Sequence, residues 1–243
     1  MFQSNRYNVL LALIILTVTL VYAPSGSAAG LAPQAAEAEW LIMMYQVADD
    51  ETLEQAILGD FNEAEFIGSS DDVHVVAQVD RFTGGFDGMD DWTSTKRFYL
   101  TPDDDFETIN SQEVDDIGEV NMADAETLVD FIVWAAENYP ARKHVLIMSD
   151  HGMGWPGGFA DPDPGILGAD DIPLAAGFGD SIWLMELDDA LGRARTQADI
   201  DQFELIGFDV CLMGTIEVFS AMAPHARYSV ASEEEEPGVG WAY

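Results

Sequence analysis

The chain has 243 residues, of which 48% are hydrophobic and 11% aromatic, so it can bury a sizeable core and does not have the composition of a disordered chain. Nine Lys and Arg residues face 45 Asp and Glu residues, which gives a formal net charge of −36. A surface with this charge repels nucleic acid and anionic lipid, which excludes both as partners. The charge is explained either by adaptation to salt or by attraction of cationic substrates.

The first 29 residues are typical of a secretory signal peptide. Arg6 precedes an apolar run over residues 9–22, and small residues surround Ala28 and Ala29, after either of which cleavage is expected. A membrane span needs ~20 apolar residues, so this run is short, although a retained anchor is the alternative. We therefore predict a secreted or cell-envelope protein with no stable membrane insertion once the signal is removed.

Apolar runs alternate with helical periodicities along the rest of the chain. Strands are predicted at residues 40–45, 73–79, 96–100 (at an edge), 144–148, 203–208 and 227–231. Helices are predicted at 49–67, 124–139, 184–194 and 212–222, and mainly loop at 80–93, 101–123 and 154–180. Because most of these strands are continuously apolar, the sequence predicts an α/β fold with a mostly parallel sheet and helices on both faces.

Two reactive side chains follow consecutive buried strands. His151 comes after the strand at 144–148, and Cys211, the one cysteine, comes after the strand at 203–208 and directly before a predicted helix. Ligands of open parallel sheets bind beyond the carboxyl ends of the strands, and consecutive strands commonly pair. We predict that Cys211 is a thiolate nucleophile with His151 as its general base. The alternative is a buried, inert cysteine.

Other patterns bear on cofactors and on the oxyanion. Gly152 follows His151, and its N–H is predicted to form an oxyanion hole with that of Cys211, a plain turn glycine being the alternative. A zinc site fits poorly because Cys211 has no partner cysteine, so no cofactor is expected for the chemistry. Calcium is possible at Asp87, Asp90 and Asp91, which otherwise form a solvated acidic loop.

Short segments in order along the chain resemble the clostripain family, which belongs to the same clan as caspases, gingipains and legumains. Residues 149–155, Ser-Asp-His-Gly-Met-Gly-Trp, look like the histidine motif of the family. Residues 206–213, Ile-Gly-Phe-Asp-Val-Cys-Leu-Met, look like its cysteine motif. Further matches lie at 40–45, 60–63, 76–81, 118–122, 231–234 and 237–241.

The resemblance implies a caspase-like peptidase domain over residues 30–243. Because family members usually continue further, we expect the domain to be truncated at its C-terminus, a minimal form being the alternative. It implies a cysteine endopeptidase in which His151 and Cys211 hydrolyse proteins or peptides after Arg or Lys. It also implies that Asp209 is an acid of the substrate pocket, with Glu233 and Glu234 as further candidates; a helix-capping role for Asp209 is the alternative. The competing function is a catalytically inactive caspase-like binding or surface module.

The resemblance also bears on activation. Family relatives often cut themselves after a basic residue between the two motifs. In this chain only Arg193 and Arg195 lie in that stretch. Both lie in or at the end of a predicted helix, so cleavage there would require local opening.

Overall fold

The computed structural model of the chain describes residues 37–161 and 180–243. The predicted signal peptide, residues 1–29, lies outside these ranges. In the part of the chain that is described, none of the helices has the length and hydropathy needed to span a membrane.

Nine strands and four helices occur in the described ranges. The strands are β1 (Ala38–Ala48), β2 (Val73–Arg81), β3 (Thr95–Tyr99), β4 (Gln112–Gly118), β5 (Ala141–Ser149), β6 (Gly157–Asp161), β7 (Asp180–Trp183), β8 (Phe203–Asp209) and β9 (Ala226–Ala231). The helices are α1 (Glu54–Ile67), α2 (Ala125–Asn138), α3 (Leu184–Gln197) and α4 (Ile216–Met222).

Seven of the strands form one sheet in the order β4-β3-β2-β1-β5-β8-β9. The pairs β2–β1, β1–β5, β5–β8 and β8–β9 are parallel, whereas β3 and β4 are added antiparallel at one edge. The predicted mostly parallel sheet is therefore confirmed. Strands are added on one side of β1 as far as β4 and then on its other side from β5 onwards, so a crevice is expected beyond the carboxyl ends of β1 and β5.

The central strand β1 supplies side chains to a core on each face of the sheet. Leu41, Met43 and Tyr45 pack in a cluster with residues of α2, α3 and α4. Met44 and Ala48, which alternate with them, pack in a second cluster with residues of α1. This alternation follows from the two-residue period of a strand, and it gives both faces of the sheet an apolar surface for helices to cover.

Two loop predictions are wrong in part. Residues 101–123 contain β4, whose Glu113, Asp115 and Asp116 are exposed and whose only strand partner in the described sheet is β3. An exposed edge strand needs no continuous apolar run, so its polar sequence did not indicate a strand. Residues 154–180 contain β6 and the start of β7, which pair antiparallel as a separate two-stranded sheet; residues 162–179 lie outside the described ranges.

Candidate active site

The ends of β5 and β8 bring the two predicted reactive residues to one rim of the sheet. The last pair in the register of these strands is Ser149 with Asp209. His151 and Cys211 each follow two residues later, and both line a cavity of about 180 Å³. The structure therefore places the predicted base and nucleophile around a common space.

Cys211 is half-buried at the start of a turn that is held by backbone hydrogen bonds. Its Sγ accepts from the N–H of Glu236 at 3.3 Å, and the N–H of Leu212 donates to the carbonyl of Glu234 at 3.1 Å. Leu212 has a φ of 65°, a left-handed conformation that L residues adopt at a cost. The strained turn is thus fixed by the segment that follows β9, and this positions the thiol.

The prediction that Cys211 directly precedes a helix is wrong. Helix α4 begins at Ile216, where the side chain of Thr215 accepts from the N–H of Val218. The residues at 212–215 form the turn rather than the first helical turn, because Thr215 is a favoured capping residue. The start of α4 therefore does not supply the positive dipole end that the sequence suggested for the thiol.

His151 has a carboxylate partner that the sequence did not identify. Its Nε2 lies 3.5 Å from Oδ2 of Asp50, which follows the end of β1. Burial raises the pKa of Asp50, but hydrogen bonds from the side chain and N–H of Thr52 and from the N–H of Leu53 outweigh it, so the pKa lies below its ordinary value. Asp50 is thus an ionised acid beside the imidazole ring at neutral pH.

Gly152 lies against the backbone that carries the thiol. A Cβ at this position would be only 2.0 Å from the carbonyl oxygen of Cys211, so no larger residue fits without a backbone shift. Two bonds anchor the segment: Phe159 donates to the carbonyl of His151 at 3.0 Å, and Met153 donates to that of Gly157 at 2.9 Å. Neither bond uses the N–H of Gly152. Close approach to Cys211 is therefore one reason that a glycine occurs here.

Asp209 is buried at the end of β8 and is not a helix cap. Its Oδ2 accepts from the N–H of Trp241 at 3.1 Å and from the hydroxyl of Tyr243 at 2.9 Å. Burial and the charge of Asp209 raise the pKa of the Tyr243 phenol far above its usual value, so this hydroxyl remains a donor. Both bonds end on one oxygen, and the side chain of Glu236 lies within hydrogen-bond reach of the same carboxylate.

Three more acids, Asp60, Asp150 and Glu236, line the same cavity, and none of them was predicted as a site residue. Asp60 comes from α1. It follows the spacing of one helix face with Ile57 and with Leu53, the N-cap residue of α1, and all three line the cavity. Glu236 also lines it and accepts from Nε1 of Trp241 at 3.2 Å. Burial raises the pKa of Glu236; the bond from Trp241 opposes this effect and Asp209 adds to it.

The predicted pocket acids Glu233 and Glu234 are exposed and are not among the residues that line this cavity. The carbonyl of Glu234 instead accepts from Leu212 in the turn after Cys211. The acid that the segment after β9 contributes to the cavity is Glu236.

A group of carboxylates suited to a cation lies apart from the acidic loop at residues 87–91. Asp87, Asp90 and Asp91 are exposed in the loop after β2, as expected for a solvated loop. Within residues 37–161 and 180–243, three buried acids could hold a metal ion together: Asp49, Asp80 and Asp161. Each offers one carboxylate oxygen, and these oxygens lie within 4.8 Å of one another. Burial raises the pKa of Asp80 well above its usual value, and nearby acids, including Asp161 and Asp49, raise it further. An all-oxygen set of this kind is one that hard cations such as calcium take as ligands.

Residues 44–243 match a family model described as the clostripain family. Clostripain of Hathewaya histolytica is 29% identical over 220 residues, which cover 83% of this chain and 40% of that protein. The chain thus spans less than half the length of this curated relative.

Three solved structures are similar to the chain. A secreted cysteine protease of Bacteroides thetaiotaomicron bound to an irreversible peptide inhibitor has a TM-score of 0.59 and 18% identity, covering 83% of this chain and 51% of that one. The same organism's protease called iotapain gives 0.62 and 17%, with coverages of 86% and 56%. An inactive zymogen from Parabacteroides distasonis gives 0.59 and 21%, with coverages of 85% and 52%. These likenesses show a shared fold.

Proposed function

This chain belongs to the clostripain family, a family of cysteine peptidases, and we propose that it is a secreted endopeptidase that cleaves after Arg, and less well after Lys, through His151 and Cys211. The observation that carries the proposal is the common cavity lined by His151, Cys211 and Asp209. It joins a nucleophile and a base to a buried acid for a cationic side chain. The predicted signal peptide supports secretion.

In the proposed reaction, Cys211 Sγ attacks the carbonyl carbon of the scissile bond after its proton has passed to His151. The tetrahedral oxyanion accepts hydrogen bonds from the N–H groups of Gly152 and Cys211. His151 then gives the proton to the leaving amine, and an acyl group remains on Cys211. A water molecule, deprotonated by His151, attacks this thioester and releases the product acid and the free thiol.

Asp50 has a positioning role in this scheme. Its carboxylate stands beside Nε2 of His151, so the ring is held with Nδ1 available for proton transfer. It also favours the imidazolium form that arises during the reaction, since a nearby opposite charge stabilises the charged form. In other catalytic triads, an acid likewise orients the base without itself accepting the proton.

Asp209 is proposed to select the residue before the scissile bond. In the cavity its carboxylate is fixed by Trp241 and Tyr243 and would accept from the cationic side chain of the substrate. A guanidinium presents five donors in a planar fork, whereas an ammonium is a compact point charge. Arg should therefore be held better than Lys, and both better than neutral side chains.

The test uses the whole chain and a peptide ending in Arg that carries a thiol-reactive group. We expect the mass of the wild type to increase by one probe and the label to map to Cys211. Cys211→Ala should remain unlabelled, and His151→Ala should be labelled slowly, with both variants keeping the wild-type circular dichroism spectrum. Hydrolysis of an Arg peptide substrate should be lost in both.

An otherwise folded wild type that neither reacts with the probe nor cleaves Arg peptides would overturn the proposal. That result would favour the competing function, a catalytically inactive binding or surface module. A norleucine version of the probe is the matched control, because it has the same reactive group without the cation.

A further inference from the structure

The carboxyl groups of Asp60 and Asp209 converge on the same point in the cavity. Gly240 has a φ of 62°, and a Cβ built on it would lie 2.5 Å from Oδ2 of Asp60 and 2.8 Å from Oδ2 of Asp209. The two acids belong to different elements, α1 and the end of β8. Their approach therefore results from the tertiary fold, with Gly240 leaving room for both.

Both acids are buried, with 5% of Asp60 and 6% of Asp209 exposed. Within the described ranges, no Lys, Arg or His side chain forms an ion pair with either of them. Two neighbouring carboxylates in a poorly solvated site repel each other, so they do not both ionise readily. Oδ2 of Asp209 accepts hydrogen bonds from Trp241 and Tyr243, so the proton is assigned to Asp60.

The electrostatics of Asp60 agree with this assignment. Burial first, and then the carboxylates of Asp209 and Glu63, raise the pKa of Asp60 to about 8. Other titratable groups that line the cavity or contact Asp209 are Asp150, His151, Cys211, Glu236 and Tyr243. At neutral pH the carboxyl group of Asp60 in the empty pocket therefore carries a proton.

The inference made next rests on the proposed function. We propose that Asp60 is a second carboxyl group of the specificity pocket, and that entry of an Arg side chain into the pocket releases the Asp60 proton to solvent. The incoming positive charge offsets the repulsion from Asp209, so that both acids ionise around the guanidinium. The planar fork of the guanidinium can donate to two carboxylates at once. An ammonium, with its single charged centre, fits this pair less well.

The first test compares kcat/KM for matched Arg and norleucine peptides between pH 6 and pH 9. Both substrates use the same catalytic groups, so the ratio isolates the pocket. In the wild type, the ratio should rise by up to about tenfold per pH unit and level off above about pH 8, as linkage to one proton requires. In Asp60→Asn the ratio should be smaller and independent of pH over this range. Glu137→Gln, which removes an exposed acid of α2, should behave as the wild type.

The second test measures the proton directly and does not depend on turnover. Cys211→Ala is titrated with the Arg peptide at pH 7 in two buffers of different ionisation enthalpy. The difference in heat should correspond to release of nearly one proton, and this release should vanish in the double variant Cys211→Ala with Asp60→Asn.

The outcomes separate this inference from the proposed function. If Arg peptides are cleaved with a preference that requires Asp209, but the ratio is independent of pH or unchanged in Asp60→Asn, the inference on Asp60 is wrong and the proposed function stands. If Arg peptides are neither bound nor cleaved by the wild type, the proposed function is wrong and the inference falls with it.

Discussion

Oδ2 of Asp50 and Nε2 of His151 lie 3.5 Å apart, and this contact joins the end of β1 to the end of β5. Oδ1 of Asp50 meanwhile accepts from the N–H groups of Thr52 and Leu53 at 2.7 and 2.9 Å, in the turn that leads into α1. One carboxylate therefore has two tasks. One oxygen holds a turn, and the other faces the proposed base.

The two tasks can be separated by a pair of substitutions. Asp50→Asn retains an oxygen for the turn but loses the charge beside His151, so kcat/KM should fall about tenfold, roughly 1.4 kcal/mol, with little change in melting temperature. Asp50→Ala should show the same kinetic loss and, in addition, lose ~1–2 kcal/mol of stability as the turn bonds disappear. Steady-state kinetics and urea denaturation measure the two effects. An unchanged kcat/KM in folded Asp50→Asn would remove Asp50 from the proposed mechanism.

The buried acid Asp209 is expected to determine the preference for cationic substrates. A lost charge-assisted bond costs ~1.5–3 kcal/mol, or roughly 10- to 150-fold in kcat/KM, so Asp209→Asn should lose this factor for Arg peptides and little for neutral ones. The acidic surface offers a competing explanation, in which cationic peptides are only steered to the protein. Steering fades at 1 M salt, where the Debye length is ~3 Å, whereas a close pair in a pocket fades much less. An Arg preference that disappears at high salt, or that survives Asp209→Asn, would contradict the pocket role.

Two glycines provide a matched test of backbone approach. Gly152→Ala would place a methyl group 2.0 Å from the carbonyl oxygen of Cys211, so we expect loss of activity together with a lower melting temperature. Gly59 lies within α1, and nothing is within 4 Å of a methyl group added there. Gly59→Ala should therefore stabilise the protein by about 0.5–1 kcal/mol. Differential scanning fluorimetry and peptide hydrolysis report both effects. A fully active Gly152→Ala would mean that the segment has more freedom than its contacts indicate.

The raised pKa of Asp60 predicts a pH-dependent cost to the folded state. Well below pH 3.8, Asp60 is protonated in both the folded and the unfolded chain. As pH rises from its usual pKa of 3.8 to about 8, the unfolded chain releases a proton that the folded chain retains, so this residue lowers the free energy of unfolding progressively over that window. Asp60→Asn should therefore gain melting temperature relative to the wild type as pH rises from 5 to 8. A constant difference across this range would show that Asp60 is ionised normally.

Activation by cleavage between the two motifs should not occur at the available basic residues. Arg193 and Arg195 both lie inside α3, where Arg193 pairs with Asp189 at 2.7 Å and Arg195 donates to the carbonyl of Pro224 at 2.8 Å. A peptidase needs an extended segment, so cutting would require α3 to unfold locally. Mass spectrometry of an active sample should show no new terminus after either residue. Fragments ending at Arg193 or Arg195, absent from Cys211→Ala, would demonstrate self-cleavage.

The sheet and its two reactive residues follow from local sequence patterns. The apolar runs of β1, β2, β5 and β8 predict buried parallel strands, and the residues just beyond β5 and β8 are then expected at one rim. The exposed strand β4 is not predicted by such patterns, because its Glu and Asp residues form no apolar run. The start of α4 was misplaced because the apolar residues after Cys211 suggested a helix, whereas the left-handed Leu212 and the capping Thr215 delay it.

The acids of the site depend on contacts between segments far apart in the chain. Asp50 and Asp60 precede His151 by about a hundred residues. The pairing of β1 with β5 brings Asp50 beside His151, and the packing of α1 brings Asp60 to the cavity. A signal for Asp60 did exist, since it shares a helix face with Leu53 and Ile57, where an acid is unusual. No comparable pattern marks Glu236 among its acidic neighbours, and its choice over Glu233 and Glu234 depends on the course of the loop after β9.

The exposed acids of β4 bear on how the protein behaves in concentrated solution. A strand at the edge of a sheet offers unpaired backbone groups to a second molecule, and like charges along it oppose such pairing. Glu113, Asp115 and Asp116 provide this repulsion at neutral pH. Acidification below about pH 4 neutralises carboxylates, and high salt screens them, so both conditions leave the edge open to intermolecular β-pairing. The edge of the described sheet at β4 is therefore protected from intermolecular pairing by residues that do not line the candidate site.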